Sequence, residues 1–98
     1  MFEIIILLRA DLEVDEIAEY YESLSDGLGT KFFNEYQKYV DTLNTFPFFE
    51  EKYNIIRTLP LKKFPYTIHF TVDEINKIVA VHAVTSNYQD PNTTRIKL

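Results

Sequence analysis

The sequence predicts an α+β domain of two layers, and three observations carry that prediction. A short, wholly apolar run lies near the start of the chain, helical periodicity follows through the first half, and from Tyr53 apolar residues recur at every second position. The expected order is an N-terminal strand, a helical hairpin and a three-stranded antiparallel meander. The first strand completes the sheet, and the hairpin covers one of its faces.

Each element has its own local reason. Residues 2–8 contain Ile4-Ile5-Ile6-Leu7-Leu8, too short to cross a bilayer and suited to a buried strand. No basic leader or small-residue cleavage site accompanies it, so no signal peptide is expected. Asp11 is placed to cap the first helix. Val14, Ile17, Ala18, Tyr21 and Leu24 recur at steps of three and four and share one helical face; Asp15, Glu16, Glu19 and Glu22 take the other. The early acidic residues suit the positive end of the helix dipole. Ser25-Asp26-Gly27 is a stop signal, with Gly27 free to turn left-handed. A second helix opens between Leu28 and Thr30 and buries Leu28, Phe32, Tyr36, Tyr39 or Val40, and Leu43. It closes at Phe46-Pro47, because the residue before a proline avoids helical geometry. The short link over 26–29 makes the two helices antiparallel neighbours.

The strands follow. Residues 53–59 form one, and Pro60 confines its end to an edge or a bulge. Pro65 enters the next at its first residue, where a missing amide donor does least harm. Tyr66, Ile68, Phe70 and Val72 then point one way, while Thr67, His69 and Thr71 point to a half-exposed opposite face. Residues 73–77 are a polar hairpin loop, residues 78–84 are nearly all apolar as in a central strand, and the tail from Ser86 is polar.

Composition bounds the function. With 98 residues, 46% hydrophobic and only two glycines, the chain is expected to form a single domain spanning 1–98. The absence of cysteine excludes disulfides, thiolate zinc sites and cysteine nucleophiles, and a cytoplasmic protein is the simplest reading. The net charge of −5 conceals an asymmetry: residues 1–51 carry 12 acidic and 3 basic side chains, and residues 52–98 carry 3 acidic and 7 basic. The halves therefore balance at −9 and +4. A generic nucleic-acid binder is usually basic overall, and this chain is not. Its second half can present a basic surface to an acidic partner.

Landmarks along the chain resemble one family. Ala10, Asp15-Glu16-Ile17 and Tyr20-Tyr21 are followed by Leu28-Gly29 with Phe32, then Phe46-Pro47, Arg57, Phe64-Pro65-Tyr66, Val84 and Asp90-Pro91. In their joint order and spacing these resemble the RelE/ParE superfamily of toxins from type II toxin–antitoxin operons, nearer the ParE-like branch. No single landmark is specific alone, but together they span almost the whole chain. The resemblance implies a toxin, of the kind linked to plasmid stabilisation, that arrests growth by acting on DNA gyrase without covalent chemistry. It also implies neutralisation by a cognate antitoxin whose partly disordered tail folds onto the toxin. No cofactor, metal or membrane is implied. The alternatives are a RelE-like ribosome-dependent mRNA endonuclease and a degenerate, non-toxic member that only binds an antitoxin. Homodimerisation is a further expectation if the hairpin's aromatic residues are exposed.

Departures from the family bear on mechanism. ParE-like members often carry histidine at the end of the last strand and arginine just before Asp-Pro; here those places hold Ser86 and Gln89. RelE-like ribonucleases often have arginine where Thr67 follows Tyr66, and a tyrosine near the C-terminus, whereas none follows Tyr88 here. Cleavage through a ribose 2′-hydroxyl needs cations for the extra phosphate charge and groups that move protons. The candidates for contact with a target or antitoxin are Arg57, Lys62, Lys63, Tyr66, His69, Tyr88, Gln89 and Arg95. Arg57 would sit on a strand beside Tyr66 and face a partner or pair with a carboxylate. Lys62-Lys63 at a strand entry equally serves as protection against edge-to-edge aggregation. His69 should face outward from Tyr66, and His82 lies within the apolar last strand. No metal site is expected from the two histidines.

Overall fold

β1 (Glu3–Ile6) and α1 (Leu8–Leu24) are separated by Leu7 alone, so the first helix starts directly off the end of the first strand. The computed structural model describes residues 1–89. The expectations placed on Asp90, Pro91 and Arg95 lie outside the described residues. After α1 come α2 (Leu28–Leu43), β2 (Glu51–Tyr53), β3 (Ile56–Pro60), β4 (Tyr66–Asp73) and β5 (Ile78–Ser86). The described strands form one sheet in the order β1-β5-β4-β3-β2. β1 runs parallel to β5, and all other pairs are antiparallel. The α+β architecture, the hairpin and the meander β3-β4-β5 stand as expected.

Four expectations need correction. The run over 2–8 is not one buried strand: β1 is a partly exposed edge strand that ends at Ile6, and Leu8 is an exposed residue of α1. The strand foreseen over 53–59 is two strands, because Asn54 turns the chain with a positive φ of 48° between β2 and β3. Among the described residues the sheet therefore has five strands. Asp11 is not a cap: α1 begins at Leu8, its N-cap Leu7 makes no side-chain cap bond, and Asp11 sits within the first turn. A carboxylate there still interacts favourably with the helix dipole. Leu24, foreseen on the buried face, is exposed at the helix end.

The helical hairpin is closed by Glu22, which the sequence pattern had left on the solvent side. Its carboxylate accepts the backbone N–H of Gly27 at 2.9 Å and of Gly29 at 3.0 Å. These are amides that the first turn of α2 leaves without helical partners, so Glu22 caps α2 from the neighbouring helix. Gly27 takes φ +83°, which a side chain would strain. Gly29 lies so close to α1 that a Cβ there would press into the Ala18 carbonyl oxygen.

The core lies between the hairpin and one face of the sheet. Phe32 is its aromatic centre, with Tyr21 at 5.8 Å, Phe64 at 5.3 Å and Tyr66 at 5.6 Å between ring centroids. Ala10, Val14, Val40 and Leu43 from the helices meet Ile68, Phe70, Val79, Val81 and Val84 from the sheet. The strand period alone would not bring both Val81 and Val84 to that face. A bulge does so. Phe70 pairs with Val81 and His69 with Ala83, leaving His82 as the extra residue. Beyond it the alternation of β5 reverses. Ala83 turns to the opposite face, where it packs with Ile56 and Tyr53.

Candidate functional site

β1 is shorter than β5, and that difference opens a site. The Leu7 N–H donates to the Val81 carbonyl at 2.9 Å, and there the strand neighbour ends. From His82 onward β5 would show a bare edge on that side. α1 lies along it, and Glu13 Oε1 accepts the Val84 N–H at 3.0 Å. Glu13 Oε2 meets Arg9 Nε at 3.3 Å, which orients the carboxylate. Between helix and edge runs a groove of about 280 Å³. Ile17 and Val84 give it an apolar component, and Glu13, Glu16, Tyr20, Tyr66, Ser86 and Gln89 supply its polar groups.

Tyr66 enters the groove because it pairs with Ser86 across β4 and β5. Its ring is held by Phe32 and by Tyr21, whose centroid lies 6.2 Å away. Burial raises the Tyr66 phenol above its ordinary value, and a hydrogen bond from Tyr21 works against that rise. Tyr21 is likewise raised, first by burial and then by the neighbouring Tyr66. Both phenols are therefore neutral at physiological pH. Carboxylates, phenols, a hydroxyl and an amide can bind and orient a partner. Among the described residues no lysine or arginine lines the groove; Arg9 stands beside it, paired with Glu13.

The opposite sheet face holds a chain of side-chain bonds. His69 Nδ1 lies 3.0 Å from the Tyr53 hydroxyl, and its Nε2 lies 2.8 Å from Thr85 Oγ1. Burial, and secondarily the positive charge of Arg9, pushes His69 down to about 4. His69 does project away from the helical layer, but the expectation that it stands outward as a contact residue is corrected: it is 6% exposed. A neutral ring bonded at both nitrogens is a structural histidine, with one nitrogen donating and the other accepting. His82 is bonded through Nε2 to Thr71 Oγ1 at 2.9 Å, and burial lowers its pKa as well. The two histidines thus take different partners. Among the described residues no cluster of His, Asp and Glu could hold a metal ion.

No protein-family model matches the chain. No curated protein sequence matches it either. Solved structures do. A chain of the chromosomal ParDE TA system from P. aeruginosa superposes with a TM-score of 0.75 at 20% identity, covering 88% of this chain and 96% of that one. The chain has a RelE/ParE-like fold. The isolated E. coli RelE toxin gives a TM-score of 0.59 at 11% identity, over 96% of this chain and 93% of that one. A chain of the archaeal RelE-RelB complex from Pyrococcus horikoshii OT3 gives 0.57 at 8% identity, over 91% of this chain and 98% of that one. The TM-score is thus higher with the ParDE chain than with the other two.

On this RelE/ParE-like fold the residues singled out from sequence fall into separate places. Tyr66 and Gln89 meet in the groove. Tyr88, one residue before Gln89, is 86% exposed. Arg57 is not beside Tyr66; it pairs with Phe70 and Glu51, half-buried on the helix-facing side, with its Nε buried and lacking a hydrogen-bond partner among the described residues. The register of β3 explains this, since its far end, Pro60, is what reaches Thr67. Lys62 and Lys63 are exposed in the β3–β4 connection. Sequence reasoning missed Glu13, Glu16 and Tyr20 as groove residues. All three are on α1, and their position along the bare edge of β5 depends on where β1 stops.

Among the described residues no helix is long and apolar enough to cross a membrane.

Proposed function

We propose that this chain is the toxin of a type II toxin–antitoxin system, that it arrests growth by a ParE-like action on DNA gyrase, and that a cognate antitoxin neutralises it. The observation that carries the reading is the pairing of a ParDE-like architecture with a groove that offers binding groups and, among the described residues, no cationic ones. Such a groove suits inhibition by occupancy. A ribonuclease would need cations facing a phosphate, and the groove's carboxylates would repel one. The antitoxin partner is supported by the likeness to chains described as parts of a ParDE system and of a RelE–RelB complex.

Induced expression in a bacterial host tests this, with growth, a DNA-damage reporter and mRNA 5′ ends followed together, alongside gyrase supercoiling assays with purified protein. Arrest with a damage response, intact messages and inhibited supercoiling is the expected result. Arrest with new codon-phased 5′ ends would overturn it in favour of a ribosome-dependent endonuclease. Unimpaired growth would leave a non-toxic antitoxin-binding protein.

A further inference from the structure

A second groove, of about 540 Å³, lies between α2 and the β3–β4 connection. It is lined by Lys31, Asn34, Glu35 and Lys38 from the helix and by Lys63 and Phe64 from the loop. On α2 these residues stand at steps of three and four, so they share one face. The loop is fixed against that face, because the Lys63 backbone N–H donates to Glu35 Oε2 at 2.9 Å. Phe64 is half-buried and held edge-on by Tyr21 at 4.9 Å and Phe32 at 5.3 Å, which makes it a firm apolar wall. In a chain of net charge −5, three lysines line this groove against one carboxylate, Glu35, and among the described residues none of the three is in an ion pair.

We infer that this groove is a docking site for a short acidic peptide segment. Charge complementarity selects an anion, and Phe64 favours one that also brings apolar side chains. A nucleic-acid strand fits worse. At the start of α2 stand Asp26 and the Glu22 carboxylate that caps the helix from α1, and Asp41 follows Lys38 by three residues, so a polyphosphate that runs along α2 beyond the groove meets carboxylates. A peptide can confine its negative charge to the lysines. The sequence had placed the basic surface in the second half of the chain. The fold instead joins Lys63 of that half to Lys31 and Lys38 of the acidic half. The inference concerns the groove's ligand chemistry and holds whether or not the chain is a toxin.

The test is fluorescence anisotropy with the full chain and a labelled twelve-residue probe of glutamate and aspartate interspersed with leucine. Saturable binding that weakens with salt is expected. Lys31→Glu, Lys38→Glu and Lys63→Glu should each weaken it about fivefold, as exposed charge pairs do when reversed. Lys52→Glu makes the same change in net charge on β2, away from the groove, and should leave affinity within twofold. Circular dichroism checks that each variant is folded, and the three single variants stand in for one another if one is not. No saturable binding, or equal loss in Lys52→Glu, overturns the site. Tighter, lysine-dependent binding of a labelled single-stranded RNA of the same length overturns the peptide in favour of a nucleic acid.

Discussion

Glu13 on α1 accepts the backbone N–H of Val84 at 3.0 Å, so a helix side chain stands where the next strand of the sheet would be. An amide on a half-buried strand edge needs a partner, and the short β1 does not reach it. Glu13→Ala should therefore lower the unfolding free energy by about 1–3 kcal/mol, the usual cost of leaving such a donor unsatisfied. Glu13→Gln keeps an acceptor and should lose less. Urea unfolding gives the first quantity, and hydrogen exchange at the Val84 amide locates it. An unchanged exchange rate in Glu13→Ala would show that the contact is not what protects the edge.

Gly29 makes a sharper prediction because two effects oppose each other. Within a helix, alanine is favoured over glycine by about 0.8–1 kcal/mol. At Gly29 the added Cβ would press on the Ala18 carbonyl oxygen and crowd Glu22, whose Cβ and Oε1 would lie 3.1 Å away. A backbone atom cannot swing aside, so α1 and α2 must separate. Gly29→Ala should be net destabilising by about 1–3 kcal/mol, as overpacking is. A melting temperature equal to or above that of the parent would mean the helices have room that this structure does not show.

How much of this was legible in the sequence follows from which features are local. The hairpin was, since Phe32, Tyr36, Val40 and Leu43 recur at helical spacing and all are buried. The meander was, because Ile68 and Phe70 alternate with polar residues in β4. The bulge at His82 was not. An unbroken apolar run carries no mark of where its alternation reverses. Nor was the groove legible. Glu13, Glu16 and Tyr20 look like a solvated helix face, and they become a site only because β1 stops at Ile6. The buried His69 was misjudged for a related reason: alternation says which side of a sheet a residue faces, not what covers that side.

That burial sets the pH dependence. His69 is depressed to about 4 in the folded protein, against about 6.5 in the unfolded chain. Between those values the unfolded chain binds the proton and the folded one does not. The contribution to stability is fully present above pH ~6.5, declines as pH falls toward ~4, and is constant below that, with a total on the order of 3 kcal/mol. His82 is lowered too and adds a slope of the same sign. His69→Gln removes the titrating group, so stability measured by urea unfolding should vary less across this window. A variant whose pH profile overlays the parent's would refute the role of His69.

Gln89 occupies the place that the family resemblance gives to arginine, and it lines the groove with Glu13 and Glu16. Gln89→Arg would therefore set a cation against two carboxylates. The exposed ion pair should add less than about 1 kcal/mol to stability, so the fold should be unaffected. Its effect on function should be larger, because the groove's charge and its donor groups both change. Under the ParE-like reading, Gln89→Arg should deepen growth arrest relative to the parent at matched protein level. Gln89→Ala, which removes the amide without adding charge, should weaken it. Colony counts after induction, normalised by quantitative immunoblot, measure both. If all three proteins arrest growth equally, Gln89 does not touch the target, and the groove must act through Tyr66 and the α1 carboxylates alone.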